Sequence, residues 1–100
     1  MLNQVMLVGR VADEPIKVEK GIVITLAVQR AYKNADGLYE TDHIDCTLLN
    51  QLADTFCEYC HKGDIVGVRG RLENLNYTAS LLLIAEKVTF LSSKPNKEEE

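Results

Sequence analysis

The chain has few basic residues for its length. Its 100 residues include 11 Lys and Arg against 15 Asp and Glu, a formal net charge of −4. Residues 1–93 alone hold nine basic and twelve acidic side chains, so the terminal glutamates do not explain the excess. Neutralising phosphates supplies most of the non-specific affinity for nucleic acid. Total charge alone therefore argues against nucleic acid, and such a function requires positive charge gathered on one surface.

Long hydrophobic runs and targeting segments are absent as well. No stretch approaches the roughly 18–20 apolar residues of a membrane span. The N-terminus lacks the basic lead and the small-residue cleavage site of a signal peptide. The three cysteines are an odd number, so they cannot all pair within one chain. These absences predict a protein without membrane association in a reducing, cytoplasmic compartment.

The composition is nevertheless sufficient for one folded domain. Hydrophobic residues make up 46% of the chain and charged residues 26%, which is typical of a soluble globular protein. We expect a single domain over residues 1–92. Residues 93–100 are polar, include a proline and end in three glutamates, so they are predicted to be a short disordered acidic tail.

Runs of β-branched and apolar residues, alternating in places, predict five strands. In the third of them Ile44, Cys46 and Leu48 fall on one face and should be buried. Gly9 inside the first strand predicts a bulge or a bend, and the Asp36-Gly37 pair predicts a tight turn. The predicted strands are residues 3–11, 22–32, 43–49, 64–77 and 80–91.

A change of period between the third and fourth strands predicts one short helix. Asn50 is placed to cap its start and Gly63 to end it. Five strands with a helix between the third and the fourth are the layout of an all-β OB-fold, a five-stranded Greek-key barrel that commonly binds oligonucleotides or oligosaccharides. The apolar stripe of this helix consists of Leu52, Ala53, Phe56, Cys57 and Cys60.

Two segments combine the cations and flat rings that binding of a single nucleic-acid strand needs. Cations neutralise phosphates, and aromatic rings stack on unpaired bases at about 1–3 kcal/mol per base. Tyr and Arg also decorate ordinary sheet surfaces, so the pattern indicates a site without establishing it. The candidates are Arg30, Tyr32 and Lys33 at the end of the second strand and Arg69, Arg71 and Tyr77 on one face of the fourth.

The sequence as a whole resembles the bacterial single-stranded DNA-binding proteins. The resemblance covers about residues 1–91 and rests on the segments MLNQVMLVGRVADEP, ITLAVQRAY, DHIDCTLLNQLADTFCEYCHKG and VGVRGRLENLNY. It implies an OB-fold that assembles as a dimer of dimers and binds single-stranded DNA in replication, recombination and repair. It also implies a protein without catalytic residues or cofactors, with replication or recombination proteins as possible partners.

The resemblance assigns base stacking to Tyr32, to Tyr77 and to His43, which stands where the family usually has Trp or Phe. Leu49 occupies a fourth position that is usually aromatic. Residues 73–76 are less basic than is usual, the hairpin that follows is shorter, and the terminal Pro-Phe tip is missing. These departures motivate an alternative: an OB-fold protein-interaction module of the primosomal accessory type, with weak or lost DNA binding.

Three further patterns suggest chemistry that the rest of the sequence does not support. Residues 57–61 match the C-x-x-C-H pattern of haem attachment, but no export signal accompanies it. His43 and Cys46 have a zinc-like spacing, yet three residues along a strand they point to opposite faces. Asp42 and Asp45 lie beside His43 without any sign of a pocket. We therefore expect no metal, no cofactor and no enzymatic activity.

Overall fold

Six strands and one helix make up the part of the chain that the structure, a computed structural model, describes: residues 1–92. The predicted tail of residues 93–100 lies outside the described residues. No helix within residues 1–92 is long and apolar enough to cross a membrane. The elements are β1 (Val5–Val11), β2 (Ile16–Val18), β3 (Gly21–Lys33), β4 (Tyr39–Leu49), α1 (Asn50–Tyr59), β5 (Ile65–Asn74) and β6 (Leu81–Ser92).

The strands form one sheet that closes on itself. Their order is β1-β5-β6-β4-β3-β2, and a second pairing between β1 and β3 completes the barrel. β4 and β6 run parallel, and the other pairs are antiparallel. Five of the strands are the predicted ones and α1 lies between the third and fourth of these, so the predicted OB-fold is confirmed. Only β2 is added; its three residues are all exposed and carry no alternating pattern.

Inward-facing side chains of β3 and β4 form the centre of the core. Ile24 lies opposite Cys46, and Leu26 lies opposite Ile44, which is partly buried against the same cluster. Phe56 of α1 is fully buried in this cluster. Burying a side chain of this size contributes about 1.5–3 kcal/mol, so the helix is held mainly by this ring.

Gly9 lets β1 approach two strands at once. The β1–β5 register is continuous through Gly9, so the predicted bulge is absent. One residue later Arg10 pairs with both Ile65 of β5 and Ala27 of β3. A Cβ atom on Gly9 would lie 2.7 Å from the carbonyl oxygen of Ala27, closer than such atoms come. The glycine is therefore explained by close backbone approach.

The start of the helix differs from the prediction. Asn50 is not the cap: it is the first helical residue, with φ at 55°, and its backbone N–H donates to the carbonyl of Lys20 at 2.8 Å. Leu49 occupies the cap position, and its side chain makes no capping hydrogen bond. The contact with Lys20 ties the helix start to the β2–β3 turn and replaces the predicted side-chain cap.

Two strand ends also differ from the prediction. β4 begins at Tyr39 and not at His43, because polar residues extend its pairing with β3 beyond the apolar segment. β5 ends at Asn74, and the segment after it forms a turn, so Tyr77 is not on the strand. The prediction that Tyr77 shares a strand face with Arg69 and Arg71 is wrong.

The three cysteines occupy two different environments. Cys46 and Cys60 are buried as expected, whereas Cys57 is exposed, contrary to its predicted place in the apolar stripe. The helix packs through Ala53 and Phe56, which leaves Cys57 at the edge of the contact. Burial raises the pKa of Cys46 to about 11 and, with help from the carboxylate of Asp64, that of Cys60 to about 12.

We predict that one thiol of the folded protein reacts rapidly with a thiol reagent at pH 8. Cys46 and Cys60 stay protonated until the pH rises toward their pKa values and are shielded by burial, whereas Cys57 is open to solvent. Timed alkylation followed by mass spectrometry measures this. The control Cys57→Ser should show no fast phase, and all thiols should react in denaturant. A fast phase that survives Cys57→Ser would contradict the assignment.

Candidate nucleic-acid interface

The last residues of β3 and the first residues of β4 form a two-stranded hairpin, residues 29–41, which we call the arm. In the described part of the chain, β3 pairs with β4 alone beyond Ala27. The pairing runs without interruption to Gln29 opposite Thr41, then shifts, and resumes with Lys33 opposite Tyr39. The shift places three residues of β3, numbers 30–32, against a single residue of β4. The arm therefore carries an irregularity where the predicted site residues lie.

Asn34 organises the turn at the end of the arm. Its side-chain Oδ1 accepts hydrogen bonds from the backbone N–H groups of Asp36 at 2.9 Å and Leu38 at 3.0 Å. Gly37 has φ at 78°, a conformation that a glycine adopts at no steric cost. The predicted turn at Asp36-Gly37 is confirmed, and Asn34 adds the hydrogen bonds that hold it.

Strand pairing decides which side chains of β4 face outward. Directly opposite residues share a face of a sheet, and successive residues alternate between faces. Residues 44, 46 and 48 point into the core, so His43, Thr41 and Tyr39 lie on the outer face. Asp45 lies there as well and accepts a hydrogen bond from the Thr25 hydroxyl at 2.7 Å. This outer face is where the sequence placed His43.

Arg30 is bound by carboxylates. Its Nε and Nη2 donate to the two oxygens of Asp42 at 3.0 and 2.9 Å, and its Nη1 donates to Glu40 at 2.8 Å. The hydrogen bonds to Asp42 raise the pKa of Arg30 further and hold the pKa of Asp42 below its usual range. The predicted phosphate cation is therefore already neutralised within the protein.

Arg71 has the same kind of environment on β5. Its Nε donates to Glu73 at 2.7 Å and its Nη1 to Glu86 at 3.0 Å. These two hydrogen bonds raise the pKa of Arg71. Two of the predicted phosphate cations, Arg30 and Arg71, thus each hold two carboxylates.

Lys33 and Arg69 differ from these arginines. Within residues 1–92, neither has a carboxylate within 4.0 Å. The Nζ of Lys33 lies 5.7 Å from the centre of the Tyr39 ring. Arg69 lines a groove on the outer face of β1, β5 and β6 together with Met6 and Lys87. Of the four predicted phosphate-binding cations, Lys33 and Arg69 are therefore the two that form no ion pair within residues 1–92.

The predicted stacking positions are all open to solvent to some degree. Tyr32, next to Lys33 in the arm, is 65% exposed, and His43 is exposed on the outer face. Leu49 is half-buried and serves as the helix cap residue, so it presents little surface. His43 and Cys46 lie on opposite faces, and residues 1–92 contain no group of three or more His, Cys, Asp or Glu side chains placed to hold a metal ion.

Tyr77 sits at the tip of the β5–β6 hairpin in a strained conformation. It is fully exposed, with φ at 63°, and Asn76 before it has φ at 48°. The N–H of Thr78 donates to the carbonyl of Leu75 at 2.9 Å, which closes a type I′ turn. This turn type favours Asn-Gly at its centre, so the position of Tyr77 is one that glycine prefers.

The site residues fall into two groups. Arg30, Tyr32 and Lys33 belong to the β3 side of the arm, whereas Arg69 and Arg71 belong to β5, which pairs with β1 and β6. No strand pairing, hydrogen bond or ion pair among residues 1–92 joins the two groups. The arm and β5 therefore each carry their own cations, without a direct bond between the two sets in the described residues.

Tyr39 and the carboxylate partners of the arginines were missed. Alternation could have revealed Tyr39, since it is four residues before His43 and has the same parity on β4. The partners of Arg30 could not be found in this way, because they depend on the register of β3 against β4, which the pattern of either strand alone does not give.

A family profile covers almost the whole of the described chain. The profile of the Single-strand binding protein family matches residues 2–91. The chain belongs to this family. Among curated members, it is 38% identical to single-stranded DNA-binding protein B of Bacillus subtilis over 109 residues, covering 97% of this chain and 96% of that protein. It is 35% identical to single-stranded DNA-binding protein 3 of Listeria innocua over 108 residues, covering 96% and 68%.

Solved structures agree on the fold of this family member. A mitochondrial single-stranded DNA-binding protein of S. cerevisiae superposes with a TM-score of 0.74 at 23% identity, covering 93% of this chain and 99% of that one. A small single-stranded DNA-binding protein of Streptomyces coelicolor gives 0.65 at 21% identity, covering 90% and 94%. The fold of residues 1–92 is therefore also the fold of these two solved proteins.

We predict that Tyr77→Gly stabilises the protein. The left-handed conformation costs a non-glycine residue about 1–2 kcal/mol, and the added freedom of glycine in the unfolded chain offsets about 0.5–1 kcal/mol. The expected net gain is about 0.5–1 kcal/mol in the free energy of unfolding, measured by urea denaturation.

Asn76→Gly is the matched control for this substitution. Asn tolerates the left-handed conformation, so little strain is relieved, and the freedom of glycine in the unfolded chain should lower the free energy of unfolding by about 0.5–1 kcal/mol. A loss of stability in Tyr77→Gly would show that the ring makes a stabilising contact and that the turn is not strained.

Proposed function

We propose that this family member binds single-stranded DNA without sequence preference, in DNA replication, recombination and repair. It does so in the cytoplasm, as a binding protein and not as an enzyme, with residues 1–92 as the binding unit. Membership of the family, carried by the match over residues 2–91 and by relatives named for single-stranded DNA binding, is the observation that supports this most strongly. The exposed rings of Tyr32 and Tyr77 are consistent with it.

Each site residue then has a role. Tyr32 and Tyr77 stack on bases, and His43 offers a smaller ring on the outer face of β4. Lys33 and Arg69 meet phosphates directly, since no ion pair within residues 1–92 uses their charges. Arg30 and Arg71 would contact phosphate only by giving up carboxylate partners, so they contribute less than their charge suggests. These roles describe binding by stacking, with a modest electrostatic contribution.

Assembly into a homo-oligomer, a dimer of dimers, is part of the proposal. Met6 and Val8 of β1 are large apolar side chains exposed to solvent in the single chain, and contiguous exposed apolar residues mark interaction surfaces. Several copies binding one strand raise the overall affinity through multivalency. Replication or recombination proteins are the proposed protein partners.

The alternative of a protein-interaction module with weak or lost DNA binding is not favoured. The Bacillus subtilis and Listeria innocua relatives are named as single-stranded DNA-binding proteins, and their alignments cover 97% and 96% of this chain. The tyrosines at positions 32 and 77 are also exposed and not absorbed into the core. The titration below distinguishes the two functions.

We expect oligo-dT to quench the tyrosine fluorescence of the protein, with an affinity that falls as salt is raised. Tyr32→Ala should weaken binding roughly fivefold or more, since stacking on a base contributes about 1–3 kcal/mol. Tyr59→Ala is the control, because Tyr59 is exposed on α1 and its ring faces Phe90 of β6 at 6.3 Å between centroids, and neither residue belongs to the proposed site. Binding weaker than about millimolar at low salt would favour the interaction module instead.

Tyr77→Gly should weaken oligo-dT binding while it stabilises the fold. Removing the ring abolishes its stacking, and the turn itself keeps its geometry because glycine suits it. The same titration gives the affinity, and Asn76→Gly should bind as the unchanged protein does. Unaltered binding by Tyr77→Gly would remove this residue from the site.

Releasing Arg30 from its carboxylates should strengthen binding. In the double substitution Glu40→Gln and Asp42→Asn, two negative charges are lost beside Arg30 and the guanidinium becomes available to phosphate. We expect affinity to rise several-fold at low salt. Glu58→Gln with Asp54→Asn removes the same charge from the helix and should change affinity much less. An equal rise in both double variants would show that only net charge matters.

A further inference from the structure

The Lys33–Tyr39 pair stands apart from the core and from the internal ion pairs. It is the cross-strand pair that resumes after the register shift, next to the Asn34 turn. Tyr39 exposes 49% of its surface, although the Nζ of Lys33 lies 5.7 Å from its ring centre. A tyrosine with half its surface in water on a two-stranded hairpin contributes little to folding. The exposed half of the residue is available to a ligand, while the Lys33 ammonium lies over the ring.

The position of Tyr39 on β4 continues the surface that carries His43. Both residues have the outward parity, with Thr41 between them. At about 3.3 Å per residue, the four-residue separation corresponds to roughly 13 Å along the strand. A nucleic-acid strand that contacts the imidazole of His43 can therefore continue along β4 to the Tyr39 ring without crossing to another face of the sheet.

The charges around the pair favour an anionic ligand there. Lys33 has no carboxylate within 4.0 Å among residues 1–92. Glu40 and Asp42 alternate with the outward residues and are held by Arg30, with Glu40 also accepting from the Asn34 side chain at 3.2 Å. The charges of Glu40 and Asp42 are thus drawn to the opposite face, and the positive charge of Lys33 remains on the outer one, where Asp45 is bound by the Thr25 hydroxyl and Asp36 lies in the turn.

We infer that Tyr39 and Lys33 form an additional contact for single-stranded DNA, in which a base stacks on the ring and the ammonium neutralises an adjacent phosphate. The inference rests on the proposed function and extends it. The contact lengthens the bound path from His43 to the end of the arm. It also gives β4 an aromatic ring, whereas Leu49, at the other end of the same strand, occupies a usually aromatic position without one.

The test is oligo-dT affinity together with direct crosslinking. Tyr39→Leu should weaken binding roughly fivefold or more, whereas Tyr39→Phe, which keeps the ring face, should bind nearly as the unchanged protein does. Tyr59→Leu is the matched control, because it removes an exposed tyrosine from α1, and should leave affinity unchanged. Melting temperatures of all three variants report whether the fold is preserved.

Photocrosslinking needs no substitution and tests contact directly. Oligo-dT carrying 5-iodo-deoxyuridine should crosslink to Tyr39 of the unchanged protein, located by mass spectrometry of the peptides. Crosslinks at Tyr32 or Tyr77 without any at Tyr39, combined with full affinity in Tyr39→Leu, would overturn the inference and leave the proposed function intact. Absence of oligo-dT binding by the unchanged protein would overturn both.

Discussion

Strand β1 pairs with β5 along most of its length and crosses to β3 at Arg10, and this double pairing closes the barrel. Closure requires the backbones of β1 and β3 to come together at Gly9, where a side chain would collide with the carbonyl of Ala27. Once the barrel is closed, one face of each strand must be buried. The outward direction of the alternate residues of β4, including His43 and Tyr39, follows from that. The direction of the side chains in the candidate interface thus depends on the close backbone contact between Gly9 of β1 and Ala27 of β3.

The distribution of charge on this molecule is more informative than its total. Glu40, Asp42, Glu73 and Glu86 are partners of two arginines, so part of the acidic excess is used to hold strand ends in place. Exposed pairs of this kind contribute little to stability, because solvent and salt screen them. Their larger effect is on binding, because they decide which cations face a ligand with their charge available. Lys33 is one of the cations whose charge is available, although the sequence around it is not rich in basic residues.

The parts of the structure that follow from local pattern could be predicted, and the parts that depend on register could not. Alternation in β3 and β4 was enough to place Cys46 in the core and His43 outside it. Asn50 was assigned as a cap because its type suits that position, but the chain enters the helix through a backbone contact with Lys20 that no local pattern reveals. Tyr77 was placed on a strand because nothing in its own type suggests a left-handed turn. The partners of Arg30 depend on the register in which β3 pairs with β4, which is a property of two strands together.

The carboxylates that hold Arg30 also act as its counterions. When a free cation binds a phosphate, the small ions condensed on the DNA are released, and this gain in entropy makes binding sensitive to salt. A guanidinium that exchanges a carboxylate for a phosphate releases the same ions from the DNA but leaves Asp42 and Glu40 bare beside the strand, where each attracts a cation from solution. Release and uptake then partly cancel. An arm built in this way tolerates changes in ionic strength better than its count of basic residues implies.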